Sequence, residues 1–410
     1  MWRIPCLLLL PVFAAMSAEQ GPLIVSQDSS GKFTGTDEKP ILAAVAEARK
    51  RGGGEIIIRP GVYLIQKEIV LDKAEHIALR GVDAESVVLK LPPVSHAVTA
   101  EAAEAGATEL RTSKMQNLRP GMLLHLYAAG DVDSFAKKAK PYVLATIKGI
   151  EGSKLLLEKP LPHPIPAGTL IRDEHAPNLI EIRNGSRDIL IEKLTLDGGR
   201  TADSPALQGH AQLCGVFAAG AYTYEKGPTG PPVQEVMINR CIIQNCFGSG
   251  VAFYSVKQSY VVDSTIMDTN DEAVDFDHFT VKCAMQGCHV ARSHVGIELN
   301  DASDCLVQNN DFRQCGTGLN LWRWCQQEDL NKRNAIRGNT FTDTELNAIQ
   351  LANGTAENLV ESNIITTAGH NGIVVQGEKQ RIEKNRVTGA KMKALVVKGD
   401  SHAVEANLTE

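Results

Sequence analysis

The residues best able to do chemistry in this sequence are Asp275, Asp277 and Glu298, which stand in two copies of one short pattern, Ala-Val-Asp-Phe276 and Gly-Ile-Glu-Leu299. The pattern has period two, so Val274 and Phe276 share one face of an extended strand while Asp275 and Asp277 share the other. Neighbouring strands lie about 4.8 Å apart and alternate residues about 6.6 Å apart. Adjacent strands in register would therefore gather the three carboxyls into one patch. Carboxylates that close need a shared proton or a cation among them. Calcium accepts such oxygen ligands, and Asp275, Asp277 and Glu298 are the expected calcium set.

The same phase, applied to neighbouring copies, adds two exterior columns. One runs Ala252, Asp275, Glu298, Asn320, Gln350, the other Tyr254, Asp277, Asn300, Trp322, Ala352; a row at the strand ends holds Ser255, His278, Asp301 and Arg323. Proton abstraction next to a carboxylate needs a base and a positive group to stabilise the charge that develops. Arg323 is the first choice for the cation, His278 the second and Tyr254 the third, with Trp322 offering a ring on which a sugar can stack. The catalytic candidates are Asp275, Asp277, His278, Glu298 and Arg323; Tyr254, Asn300, Asn320, Trp322 and Gln350 are the candidates for binding substrate. Asp275 and Glu298 also suit an acid and a nucleophile at the roughly 5 Å separation of a retaining glycosidase. A purely structural ion-pair row through His278, Asp301 and Arg323 competes with these readings, as does packing of Trp322 beneath the loop 198–232.

Something must hold those strands in register, and the sequence contains it. Arg240, Ser264, Cys288, Asn310, Asn339, Asn363, Asn385 and Asn407 form a column spaced by 22 to 29 residues. Apolar residues stand three before it (Met237, Val261, Met285, Val307) and two after it (Ile242, Ile266, Val290, Phe312). Periods in the low twenties, with three short strands per turn, fit a parallel β-helix whose coils bury one stacked core. Buried asparagines at a repeated tight turn can satisfy each other and the turn backbone.

Upstream, Asp37 to Arg51 reads as an amphipathic helix with Pro40 in its first turn and a stop at Gly52 to Gly54. The expected division is a secretory leader over 1–18, a helical cap and first coils over 19–97, an inserted small β subdomain over 98–175, and coils over 176–410. A Gly- and Pro-rich loop is expected over 198–232. Met1 to Ala18 has one cation and then a short apolar run, which implies a secreted or periplasmic protein; no segment has the roughly 20 apolar residues of a membrane span. The net charge of −6 comes without a basic block, which argues against nucleic acid. Eight cysteines follow the leader. None has zinc-site spacing with histidines, Cys283 and Cys305 share a row and could bridge, and structural roles are expected for all eight. The last coil ends at Glu410 without a cap, so either further chain or a partner is expected to cover it.

The cap leading into Gly-Gly-Gly-Glu-Ile-Ile-Ile-Arg-Pro-Gly-Val-Tyr-Leu-Ile65, together with the Asn-laddered coils, resembles the pectate-lyase-like superfamily of right-handed parallel β-helix proteins. That resemblance implies an all-β solenoid in which the Asn turn joins the second and third sheets and the period-two strand belongs to the first, where the superfamily usually places its active site. It further implies acids holding calcium against substrate carboxylates. A secreted lyase acting on an acidic polysaccharide by β-elimination follows, with a glycoside hydrolase or a C5-epimerase as alternatives and a non-catalytic polysaccharide-binding or surface protein as the contrast. The polygalacturonase signatures are missing. Alginate epimerases combine a tyrosine, an Asp-Pro-His segment and an arginine; Asp275-Phe-Asp-His278 with Tyr254 and Arg323 is similar but lacks the proline.

Overall fold

The computed structural model describes residues 21–127, 142–173, 178–201, 204, 213–325, 327 and 329–409. The expected leader therefore lies outside the described residues, as does Glu410. Three parallel sheets of ten, fourteen and eleven strands run the length of the chain. Each coil contributes one strand to each sheet, in the order first, second, third: Glu272–Asp277, Ala284–Gln286 and His289–Ala291 make one such coil. The architecture is an all-β right-handed solenoid, as the residue pattern predicts. The helix Glu38–Lys50 lies at its start, capped by the Asp37 side chain accepting from the Lys39 N–H, with Ile41, Ala44, Val45 and Ala48 buried.

Stacking sets the residue types inside. Phe253 lies on Phe276 and Phe312 on Phe341, with centroids 5.5 and 4.9 Å apart and planes within about 6°. At the entry of six successive first-sheet strands the residues in register are small: Gly250, Ala273, Gly296, Gly318, Ala348 and Gly372. At Gly318 a Cβ would stand 2.4 Å from the Ala348 carbonyl oxygen and 2.5 Å from the Phe341 ring. Only a residue with little or no side chain lets the strand enter over those rings.

The asparagine ladder is continuous. Asn310, Asn339, Asn363, Asn385 and Asn407 each accept the backbone N–H of the preceding rung through Oδ1 at 2.9 to 3.0 Å, starting from Cys288, and each donates Nδ2 to a carbonyl of the second-sheet strand one coil back. One expectation is off by a residue. Cys241, not Arg240, pairs with the Ser264 rung, and Ile238 and Ile243, not Met237 and Ile242, align with Val261 and Ile266 in the core. Arg240 occupies the left-handed turn position at φ 51°, which lengthened the apparent spacing. A second ladder, Asn334, Asn358 and Gln380, serves the turn between the first and second sheets.

Two further departures shape the functional face. The segment 198–232 is not all loop: Val216–Ala219 is a first-sheet strand between Ile180–Arg183 and Val251–Tyr254. Tyr222–Thr223 and Gly227–Pro228 then form a small hairpin. Strands from His96 to Asp173 close into a six-stranded antiparallel barrel, with its own core around Leu124, Leu126, Ile147, Leu155 and Ile171. The eight described cysteines are buried, and Cys283 and Cys305 do not bridge.

Candidate functional site

Strand pairing places Ala252, Asp275, Glu298, Asn320 and Gln350 side by side, and Tyr254 beside Asp277 and Asn300 beside Trp322. The expected columns are therefore contiguous on the outer face of the first sheet. They are not open to water in the way that alternation alone suggests. Asp275, Asp277, His278 and Asn300 are 4 to 6% exposed, while Tyr254, Glu298, Asn320, Trp322 and Gln350 are half-buried. Over the His278 end of the face, the 222–228 hairpin meets residues that follow Trp322: Gln327 Nε2 donates to the Tyr224 carbonyl at 3.1 Å, and Tyr222 joins Phe279, Cys325 and Leu330 in a small satellite core.

The site has two halves. In the first, Asp275 and Glu298 are joined by Asp271 and Glu272, which the sequence reading left out although they stand just upstream in the same run. Burial pushes Asp275 well above the usual carboxylate range, with the charges of Asp277 and Glu272 adding to it. Burial and Glu272 likewise push Glu298 up to about 8, against the opposing influence of Trp322 and Asn320, and Asp271 up to about 9. Asn320 Nδ2 donates to Glu298 Oε2 at 2.9 Å; the Trp322 indole N–H faces the same carboxyl without closing a hydrogen bond. Asp275 Oδ1, Asn300 Oδ1 and Asn320 Oδ1 are buried oxygens without a hydrogen-bond partner. Gln350 is held by Asn347, whose Nδ2 donates to Oε1 at 2.8 Å.

The second half is centred on His278. Its Nδ1 lies 2.9 Å from Asp277 Oδ1 and 3.3 Å from Asp301 Oδ2. Burial opposes the imidazolium, but hydrogen bonds to those two carboxylates outweigh it and raise His278 to about 9. Burial raises Asp277 despite His278, and Asp277 Oδ1 also accepts the His278 backbone N–H at 2.6 Å. Asp277 Oδ1 is thus engaged by His278 through both its ring and its backbone N–H. Around the imidazole stand Tyr222, Tyr224 and Tyr254, with centroids 5.3, 4.9 and 5.2 Å away. Burial, then the Asp275 and Asp277 charges, pushes the Tyr254 hydroxyl well above its ordinary range.

Arg323 departs furthest from expectation. Its guanidinium donates to the Cys325 and Gln327 carbonyls, fixing the loop instead of facing the acids. The row His278, Asp301, Arg323 is not one ion-pair ladder: Asp301 takes His278 on one side and the Trp324 and Cys325 backbone N–H groups on the other. Trp322 meets Trp324 edge to face at 5.7 Å. The positive charge facing the acids is therefore His278.

A right-handed parallel β-helix with a polar first sheet defines the class, and the fold is that of the pectate-lyase-like superfamily. Within it, residues 234–408 match the family described as periplasmic copper-binding protein (NosD). No curated protein matches this chain. The N-terminal fragment of bacteriophage Phi29 gene product 12 is 12% identical with a TM-score of 0.55, over 87% of this chain and 56% of that one, so the chain spans just over half its length. The A-module of the Azotobacter vinelandii mannuronan C-5 epimerase AlgE4 is 14% identical with a TM-score of 0.50, over 90% of both chains. At these identities the likeness is one of fold. Among the described residues, no helix is long and apolar enough to cross a membrane.

Proposed function

We propose that this is an exported carbohydrate-active enzyme that abstracts the proton α to the carboxylate of a uronate within an acidic polysaccharide, with β-elimination as the outcome. The observation that carries the reading is the pairing, on one solenoid face, of a histidine held between two aspartates with a half-buried glutamate. Glu298, at the accessible edge and beside Trp322, takes the C5 proton. The His278 imidazolium, fixed by Asp277 and Asp301, supplies the positive field as charge develops on the uronate carboxylate. Tyr254, kept as a phenol, protonates the leaving oxygen. Asn320 and Gln350 continue the same column and extend the binding track, and Trp322 gives the sugar an apolar face.

The unpartnered oxygens of Asp275, Asn300 and Asn320 form a hard donor set of the kind calcium prefers. Those three residues would hold the ion, which when bound supplies positive charge toward substrate carboxylates. Similarity to AlgE4, titled a mannuronan C-5 epimerase, supports a uronate substrate; replacing the proton on the opposite face instead of expelling the leaving group would give epimerisation from the same intermediate.

The test is ultraviolet absorbance of unsaturated uronates released from a polyuronate panel, with and without chelator. Appearance of that chromophore, lost in Glu298→Gln, is the expected result. New reducing ends without it would move the assignment to the hydrolase reading, in which the register neighbours Asp275 and Glu298 act as the carboxyl pair. Retained polysaccharide binding with no product of either kind would make the chain a binding protein.

A further inference from the structure

Cys325 stands apart from the other cysteines. Cys241, Cys246, Cys283, Cys288, Cys305 and Cys315 are shut inside the solenoid core, whereas Cys325 lies in the loop above the first sheet, in the satellite core with Phe279 and Leu330. There it meets the end of two first-sheet strands. One donor atom each from His278, Asp301 and Cys325 falls within 4.8 Å of the other two, and all three residues are buried. Tetrahedral ligation at metal–donor distances of about 2.0 to 2.3 Å separates donors by about 3.3 to 3.8 Å, so closing on an ion takes a side-chain adjustment of about 1 Å.

From this geometry we infer that His278, Asp301 and Cys325 form a site for a thiophilic transition-metal ion of the zinc or copper(I) kind. The donor set is mixed nitrogen, oxygen and sulfur, which selects such ions over calcium or magnesium. The support behind the donors is already built. The Trp324 and Cys325 backbone N–H groups bond to Asp301 at 2.9 to 3.1 Å and fix that carboxylate, the kind of outer contact that orients a ligand. His278 sits in the left-handed region at φ 30° and Asp301 at φ 54°, where the end-of-sheet turn swings both side chains toward the loop. Metal binding releases the thiol proton and the Nδ1 proton to solvent and forms metal–sulfur and metal–nitrogen bonds, with no change of oxidation state. The ion would tie Cys325, and through their shared satellite core Tyr222 of the 222–228 hairpin, to the sheet beneath. It engages His278 and Asp301, so in the loaded protein it takes the place of the imidazolium that the polysaccharide reading assigns to His278; the thiolate band and Cys325 labelling report the ion whatever the outcome with polysaccharide.

The test is a titration of the reduced full-length protein with Co2+ as the spectroscopic probe, under argon. One equivalent should bring up a thiolate-to-cobalt charge-transfer band in the near ultraviolet, and Zn2+ or Cu+ should bleach it. Cys325→Ser should abolish the band and His278→Ala should weaken binding at least tenfold, while Cys315→Ser retains it. Should a variant fail to fold, mass-resolved alkylation of the wild-type chain settles the matter: Zn2+ should suppress labelling of Cys325 alone. Absence of a thiolate band, its persistence in Cys325→Ser, its survival in excess Zn2+ and Cu+, or unchanged Cys325 labelling would each overturn the assignment.

Discussion

At the scale of single residues, burial decides what the acids do. Burial, reinforced by neighbouring acids, pushes Asp275, Asp271 and Glu298 above the range of free carboxyls. A carboxyl whose folded pKa lies above its unfolded value lends stability that is full below the unfolded pKa and lost as pH rises through the folded one. In chelator, the midpoint of urea unfolding should therefore fall between pH 4 and 9, over the interval from the ordinary values of 3.8 and 4.5 to about 9 and about 8; a flat profile would mean that the cluster is solvated. Glu298→Gln should flatten part of that slope without lowering the melting temperature, yet reduce turnover by at least about 100-fold, the usual loss for a positioned base. Placement of Asp275, Asp277 and Glu298 on one face was legible because alternation leaves no choice once Val274 and Phe276 are inside. Their burial was not, because Tyr222 and Tyr224, which stand against His278 at the adjoining end of the face, come from a segment about 50 residues upstream of Asp275 whose sequence carries only turn signals. Arg323 misled for a related reason: a cation beside acids in register looks paired with them, but loop carbonyls of its own chain segment were nearer.

At the scale of elements, the solenoid was readable wherever a side chain repeats for a physical reason. Stacked apolar pairs, ladder amides and the small residue at each strand entry are forced by contact with the same position one coil away. The first coil was framed one residue early because a left-handed turn residue, Arg240, imitates a rung. The strand Val216–Ala219 was missed because Gly and Pro on either side disguise a coil that obeys the same register. Each rung should be costly to remove. Asn339 receives the Asn310 backbone and side-chain N–H groups and donates to Val307 and Asn363, so Asn339→Ala leaves buried backbone unsatisfied and should cost about 3 kcal/mol, measurable as a lower urea midpoint. Asn339→Asp should be nearly as damaging, since the donor toward Val307 is lost.

At the scale of the whole molecule, the described residues build two large cores beside the small satellite one. The barrel from His96 to Asp173 packs around Leu124, Ile147 and Ile171, and the solenoid around its own stacked rows. Protection against hydrogen exchange should accordingly fall into two groups with separate denaturant dependence, barrel amides opening apart from coil amides; a single common opening energy would show that the seam near Val94, Val98 and Leu170 couples them.

The ladder of carboxamides has a direction. Every rung hands its hydrogens forward to the next oxygen and takes hydrogens from the rung behind. A winding laid down one residue out of step would miss its oxygen and leave its hydrogens facing nothing. Proofreading of the winding is thereby assigned to a corner of the solenoid and not to its walls, which leaves the first wall free to carry aspartates and glutamates that no sheet would choose for its own stability.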